Sequence, residues 1–327
     1  MEIKKIIISR TDSIGDVMLT LPMVGYLRKQ FPRATIVFLG RAYTIPVLKC
    51  CLHIDDVIDF DELQSMDRDQ QVEEIKKQKA DVFIHVFPKK DLAHVARKAD
   101  IKYRIGTSHR FYHWVSCTHP VAFSRKNSDL HEAQLNFKLL APLGISIVPT
   151  LADLAGFYGF VVQGELSKGL VLSVTKKKVV LHPKSQGSAV EWGIENFEKL
   201  AELLLSEGFQ VIITGTANEK ASIAGSSLFR HPGVIDVMGK LDLRELMVLI
   251  NHCDAMVAAS TGPLHIAAAL GKRAVGIYSE RKPIHPGRWC PVGENTIVFS
   301  KNKIGASDNE LDALIKEIKP GDVLKVL

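Results

Sequence analysis

The chain has 327 residues, of which 46% are hydrophobic and 24% charged, and its net charge at neutral pH is +6. This length suits two domains of ordinary size, and the composition excludes a disordered, collagenous or disulfide-framed protein. No stretch approaches the roughly 20 apolar residues of a spanning helix, and the apolar run at 6–8 is too short for a signal-peptide core.

The chain is therefore expected to remain in the cytoplasm. The cysteines agree: Cys50 and Cys51 are adjacent, Cys117, Cys253 and Cys290 stand alone, and no C-x-x-C spacing occurs. That pattern suits a reducing compartment and suggests neither zinc nor redox chemistry. The charge is uneven. Residues 1–150 hold 22 Lys/Arg against 17 Asp/Glu, whereas residues 151–327 hold 20 against 19. Within 84–126 lie Lys89, Lys90, Arg97, Lys98, Lys102, Arg104, Arg110, Arg125 and Lys126, against Asp91 and Asp100. Phe87, Tyr103, Phe111, Tyr112, Trp114 and Phe123 are interleaved with them. A one-sided basic excess points to an anionic partner. The interleaved aromatics favour an anionic membrane surface over a plain solvated face or nucleic acid.

In chain order, strands are expected at 6–9, 35–39, 56–59 and 81–87, alternating with helices at 15–31, around 44–52 and at 62–79. Strand–helix alternation with continuous apolar strands predicts a parallel sheet covered on both faces. A helix over 130–144 closes at Gly144, and regularity fades over 145–178, where an inter-domain connection is expected. The pattern then restarts, with strands at 179–183, 210–214, 255–259 and 273–278 and helices at 196–208, 243–253 and 262–271. Two successive Rossmann-like halves predict an α/β GT-B arrangement, with parallel sheets facing a central cleft. The expected division is one Rossmann-like domain at 1–155 and a second at 156–327.

Loops after parallel strands are where such sheets bind ligands. The first is RTDSIGD (10–16). Ser13-x-x-Asp16 reads first as a capping box, with an acid favoured by the helix dipole, and second as Asp16 poised to accept a proton. The loop STG (260–262) precedes a helix with Pro263 in its first turn, and its N–H groups make an anion site to which His265 can add a donor. Lys184 and Ser185 follow the strand at 179–183, and Glu219 follows the strand at 210–214, where a carboxylate could hold ribose hydroxyls. The chain has no Gly-Lys-Ser/Thr P-loop and no G-x-G-x-x-G after its first strand, and metal-ligand spacings are lacking at these loops.

Taken together, RTDSIGDVMLTLPMVGYLRKQFP, HPKSQGSAVEW and STGPLHIAAALGKRAVGIYSERKPIHPGRWCPVG resemble glycosyltransferase family nine, the ADP-heptose:lipopolysaccharide heptosyltransferases. The resemblance runs in chain order through both halves. It implies an inverting, metal-independent transferase of GT-B fold that needs no cofactor and takes an ADP-sugar, heptose by resemblance, as donor. By position, Asp16 matches the catalytic base. Lys184 and Ser185 fall in the donor phosphate loop, Glu219 matches the ribose-contacting acid, and Met238 lies where the adenine packs. Ser260, Thr261, Gly262 and His265 match the diphosphate and sugar motif. Ser13, Arg104 and Arg110 are candidates for acceptor binding, and the acceptor would be a lipid-anchored anionic oligosaccharide at the cytoplasmic face of the inner membrane. The chain departs from the family where Val190 and Glu191 replace a common basic residue before Trp192, and where Ser260 replaces an Asp. The competing readings are a sugar-nucleotide-binding protein without turnover and a sugar-nucleotide epimerase.

Overall fold

The computed structural model describes residues 2–125 and 127–327, so Lys126 of the basic segment lies outside the described residues. The chain divides into two compact units, Met1–Val161 and Val162–Leu327.

The first unit is built on six strands: β1 (Lys5–Ser9), β2 (Thr35–Gly40), β3 (Asp56–Asp59), β4 (Val82–His85), β5 (Tyr103–Thr107) and β6 (His119–Val121). All pair in parallel in the order β3-β2-β1-β4-β5-β6. The central strands are continuous apolar runs because helices cover both faces. On one face Ile7, Val37, Leu39 and Phe83 pack against Ile75, Leu92, Val95 and Ala96. The chain leaves β1 toward β2 on one side and returns to β4 on the other. The switch point between β1 and β4 is thus flanked by the loop at 10–16, at the sheet's carboxyl edge.

The second unit repeats the plan with β7 (Lys178–His182), β8 (Gln210–Ile213), β9 (Val234–Asp236), β10 (Ala255–Ala259), β11 (Arg273–Ser279) and β12 (Thr296–Lys301). Their order is β12-β11-β10-β7-β8-β9, again all parallel. Its core joins Val179, Leu181, Val211, Val257 and Val275 to Phe197, Leu200, Leu204 and Trp192. Trp192 is fully buried and donates its indole N–H to the Ile318 carbonyl at 2.9 Å. The switch point here lies between β7 and β10.

Several elements differ from the expected ones. The helix foreseen at 15–31 is two, Ile14–Met18 and Leu21–Gln30, with Pro22 in the first turn of the second. Pro suits a helix start, where its missing N–H costs nothing. The helix at 62–79 is also two, Phe60–Ser65 and Arg68–Lys77, because Asp67 forms a capping box with Gln70 and starts a new one. The helix at 130–144 is Glu132–Lys138 followed by a short 3₁₀ turn that ends at Gly144, whose φ of 81° suits glycine. Within the connection foreseen at 145–178 lies a further helix, Leu151–Ala155, capped by Thr150.

His85 ends β4 with only 1% of its surface exposed, its ring tilted against those of Phe83 and His113 at centroid distances of 4.5 and 5.5 Å. Neither of its ring nitrogens has a hydrogen-bond partner. Burial, then the neighbouring His113 and Arg104, hold it well below the usual imidazole range. A group depressed in this way protonates more readily in the unfolded chain. Its stabilisation is present above the unfolded value of about 6.5 and is lost as pH falls below it, by about 1.4 kcal/mol per pH unit. His85→Phe should therefore match wild type in urea denaturation at pH 8 and exceed it increasingly below about pH 6.5. Parallel pH profiles for the two proteins would contradict this.

Candidate active site

In the first unit the site grows from the end of β1. Arg10, the residue after the strand, is 3% exposed, and its backbone N–H donates to the Leu39 carbonyl at 3.1 Å. A buried guanidinium requires counter-charge, and it has three carboxylates. Nε meets Asp12 Oδ1 at 2.7 Å, Nη1 meets Glu132 Oε1 at 3.1 Å, and Nη2 pairs with Asp16. Burial lowers the Arg10 value, and Asp12, Asp16 and Glu132 more than reverse that, so it is raised. Glu132, 1% exposed, also pairs with Arg125. Asn136 then ties the cluster together, accepting from Arg10 at 3.4 Å and Arg125 at 3.1 Å and donating to the Leu19 carbonyl at 3.1 Å. Burial pushes the Asp12 carboxyl up to about 6, with the Asp16 charge adding to it and Arg10 opposing.

Ser13 occupies the N-cap position of Ile14–Met18, but its side chain caps no backbone N–H. Its hydroxyl donates to Asp16 instead. Asp16 is thus held from two sides, by Arg10 and Ser13, with 16% of its side chain open to solvent. Arg110 is exposed and follows β5, at the same carboxyl edge as the loop 10–16. Arg104 is placed differently. It lies near the start of β5, paired with Phe83, and its guanidinium donates to the carbonyls of Ser116 at 2.7 Å and Ile101.

In the second unit the loops after β7, β8, β9 and β10 leave one edge. His182 Nδ1 and Thr214 Oγ1 are 3.0 Å apart. Burial lowers the His182 imidazole, and nearby Glu219 opposes that. Glu219 is 6% exposed and closes a capping box with Thr216, accepting from its backbone N–H at 2.7 Å. Met238 packs its methyl group against Gly215: a Cβ added there would come within 2.4 Å of it, and φ at this glycine is +159°. His182, Glu219 and Met238 therefore surround one backbone stretch.

The loop after β7 is organised by Glu191, not weakened by it. Its carboxylate accepts from Lys184 Nζ, from the Ser185 N–H at 3.0 Å and from the Ser185 hydroxyl at 3.1 Å. Glu191 can reach them because Trp192 is locked into the core next to it, while Val190 packs against the same core. A carboxylate thus engages the lysine and N–H group that the sequence assigns to phosphate. After β10, Ser260 lies beside the buried Tyr278 phenol, whose O–H donates to the Trp289 carbonyl at 2.9 Å. Thr261 caps no N–H of the helix Gly262–Ala269; it is 5% exposed and its hydroxyl has no partner. An unpaired buried hydroxyl beside a helix start is a position for a ligand oxygen. His265 lies buried in that helix's first turn.

Among the described residues, no group of three or more His, Cys, Asp or Glu is arranged to hold a metal ion. Sequence reasoning missed Arg10, Glu132 and Asn136. The only local signal was an arginine directly after a buried strand.

Two Rossmann-like units of parallel strands define the GT-B class of α/β protein. The chain matches the crystal structure of the glycosyl transferase family 9 protein from Veillonella parvula with a TM-score of 0.79 at 20% identity, over 100% of this chain and 96% of that one. It matches Escherichia coli ADP-heptose LPS heptosyltransferase II with a TM-score of 0.75 at 20% identity, over 99% and 97%. The sequence profile of glycosyltransferase family 9 (heptosyltransferase) fits residues 72–314, and the chain belongs to this family. It is similar to the lipopolysaccharide heptosyltransferase 3 of E. coli K12, at 24% identity over 302 residues covering 87% of this chain and 84% of that protein. The protein is a glycosyltransferase.

Removing one member of a buried charge cluster strands the others and costs about 3–5 kcal/mol. Arg10→Met should lower unfolding free energy by that order in urea. A loss below about 1 kcal/mol would mean that the three carboxylates do not depend on Arg10.

Proposed function

We propose that the protein transfers heptose from ADP-heptose to a lipopolysaccharide-type acceptor in one inverting displacement, without a metal. The observation that carries this reading is the Asp16 carboxylate, fixed by Arg10 and Ser13 at the carboxyl edge of the first sheet yet open to solvent. A fixed, accessible carboxylate suits a general base. In the proposed reaction an acceptor hydroxyl attacks the anomeric carbon and passes its proton to Asp16. The bond from that carbon to the diphosphate oxygen breaks, and its electron pair leaves with the nucleoside diphosphate.

The developing charge on the leaving group would fall to Lys184, the Ser185 N–H, the Thr261 hydroxyl and His265, the preorganised donors of the second unit. Since Glu191 engages Lys184 and Ser185 in this structure, the diphosphate would take over donors now held by a carboxylate. Glu219 would bind the ribose and Met238 the adenine. Support for the sugar comes from the named activities of the relatives: lipopolysaccharide heptosyltransferases and an ADP-heptose LPS heptosyltransferase. No helix among the described residues is long and apolar enough to cross a membrane. With a lipid-anchored acceptor, the protein would work at the cytoplasmic membrane face, attracted by the cations of 84–125. Each cation near an anionic bilayer contributes about 1 kcal/mol, screened by salt.

The two halves of this mechanism separate by mutation. Asp16→Ala should lower turnover by about 10²–10⁴-fold with ADP-heptose affinity nearly unchanged. Lys184→Ala should instead weaken ADP-heptose binding by about 1.5–3 kcal/mol in calorimetry. Near-normal turnover by Asp16→Ala, or normal donor binding by Lys184→Ala, would remove the corresponding role.

A further inference from the structure

The short helix Phe111–Ser116 follows β5 in the first unit. His113 and Ser116 on it are fully buried, whereas Phe111 is 86% exposed, Trp114 63% and Val115 52%. Positions spaced by three and four residues share one helix face, so three large apolar side chains project together. Isolated apolar residues on a surface are ordinary, but a contiguous group is not. The Trp114 indole N–H donates to the Ser108 carbonyl at 2.9 Å. That bond fixes the ring and satisfies its one polar atom, so the exposed face can enter an apolar phase without losing a hydrogen bond to water.

The surroundings are cationic. His109 and Arg110 are exposed immediately before the helix, and Lys102 is exposed before β5. The helix Lys90–Lys98 packs against Phe111–Ser116 and exposes Lys90, Arg97 and Lys98. An apolar face rimmed with cations fits the boundary between acyl chains and anionic headgroups. A second copy of the chain fits less well, because a two-fold contact would press like charges together.

We propose that Phe111, Trp114 and Val115 form a wedge that inserts into the interfacial layer of an anionic bilayer, with the flanking cations on headgroup phosphates. This rests on the membrane location proposed above and goes beyond it. Charge alone would hold the protein at the surface, whereas the wedge adds a salt-resistant apolar contact and fixes which side of the first unit faces the lipid.

The test uses the full chain and vesicles of phosphatidylglycerol with phosphatidylcholine, against vesicles of phosphatidylcholine alone. Trp114 emission is read in a Trp289→Phe background, where the buried Trp192 gives a constant signal. On anionic vesicles that emission should shift to the blue and be quenched by brominated acyl chains. Phe111→Ser with Trp114→Ser should weaken partitioning by about tenfold or more, and the loss should persist at salt that screens the cations. The single Phe111→Ser should lose part of it, and circular dichroism confirms that both variants are folded. Binding needs no turnover, so a protein that transferred no heptose would leave the wedge result standing. Wild-type binding that is released by salt, with no quenching and with the variants unchanged, would overturn the wedge and leave a purely electrostatic surface. A wild-type dimer in sedimentation equilibrium that these substitutions dissociate would overturn it in favour of a second copy.

Discussion

A guanidinium cannot be taken out of water without anions to receive it, and the functional edge of the first unit is organised around one such group. Arg10 leaves the buried β1 with 3% of its side chain exposed and meets Asp12, Asp16 and Glu132. Those three carboxylates come from two segments separated by more than a hundred residues. By joining them, Arg10 ties the loop 10–16 to the helix Glu132–Lys138, and Asn136 extends the tie to the Leu19 carbonyl. Burial of the cluster is felt at Asp12, whose carboxyl it pushes up to about 6, with the Asp16 charge adding to that and Arg10 opposing it. Asp16, the base of the proposed reaction, is the member that also receives the Ser13 hydroxyl.

The second unit solves a related problem with the opposite charge arrangement. Its donors gather at one edge: Lys184, the Ser185 N–H, the Thr261 hydroxyl and the start of the helix Gly262–Ala269. A cluster of donors needs an anion, and here Glu191 supplies part of it. Read from family resemblance alone, Glu191 is a basic residue lost. In the structure it holds the loop in shape through three contacts, anchored by the neighbouring Trp192. The Thr261 hydroxyl, by contrast, has no partner, which leaves it for a ligand. In the proposed mechanism each unit supplies half of the chemistry, proton acceptance in one and anion stabilisation in the other.

Much of this fold is legible in the sequence, for identifiable reasons. Strands such as AMVAA at Ala255–Ala259 are buried on both faces and read as unbroken apolar runs. The strands β5, β6, β9 and β12 went unseen because YRIGT, HPV, VID and TIVFSK are short or mixed; β6, β9 and β12 are edge strands and only partly buried, and β5 lies next to an edge. Helix breaks at Pro22 and Asp67 were written in local chemistry and could have been foreseen. Among candidate site residues, Lys184 and Thr261 stand in loops that end strands and Asp16 and His265 in the first turns of the helices that follow such loops, where position alone suggests a role. Arg104 shows the limit of reasoning from charge: its guanidinium donates to carbonyls near the opposite end of β5. The Arg10–Glu132–Asn136 cluster was hidden because its members are 122 and 126 positions apart, and no periodicity connects them.

The central claim is that sugar leaves the nucleotide only when an acceptor hydroxyl is present to receive it. The most direct measurement is ADP release from ADP-heptose, with and without a phosphorylated, lipid-anchored core oligosaccharide that lacks the terminal heptose. The account predicts rapid ADP release that depends on the acceptor, with the heptose appearing on the oligosaccharide in inverted configuration. Alteration of ADP-heptose with no acceptor present, or tight binding with no release in either condition, would contradict it.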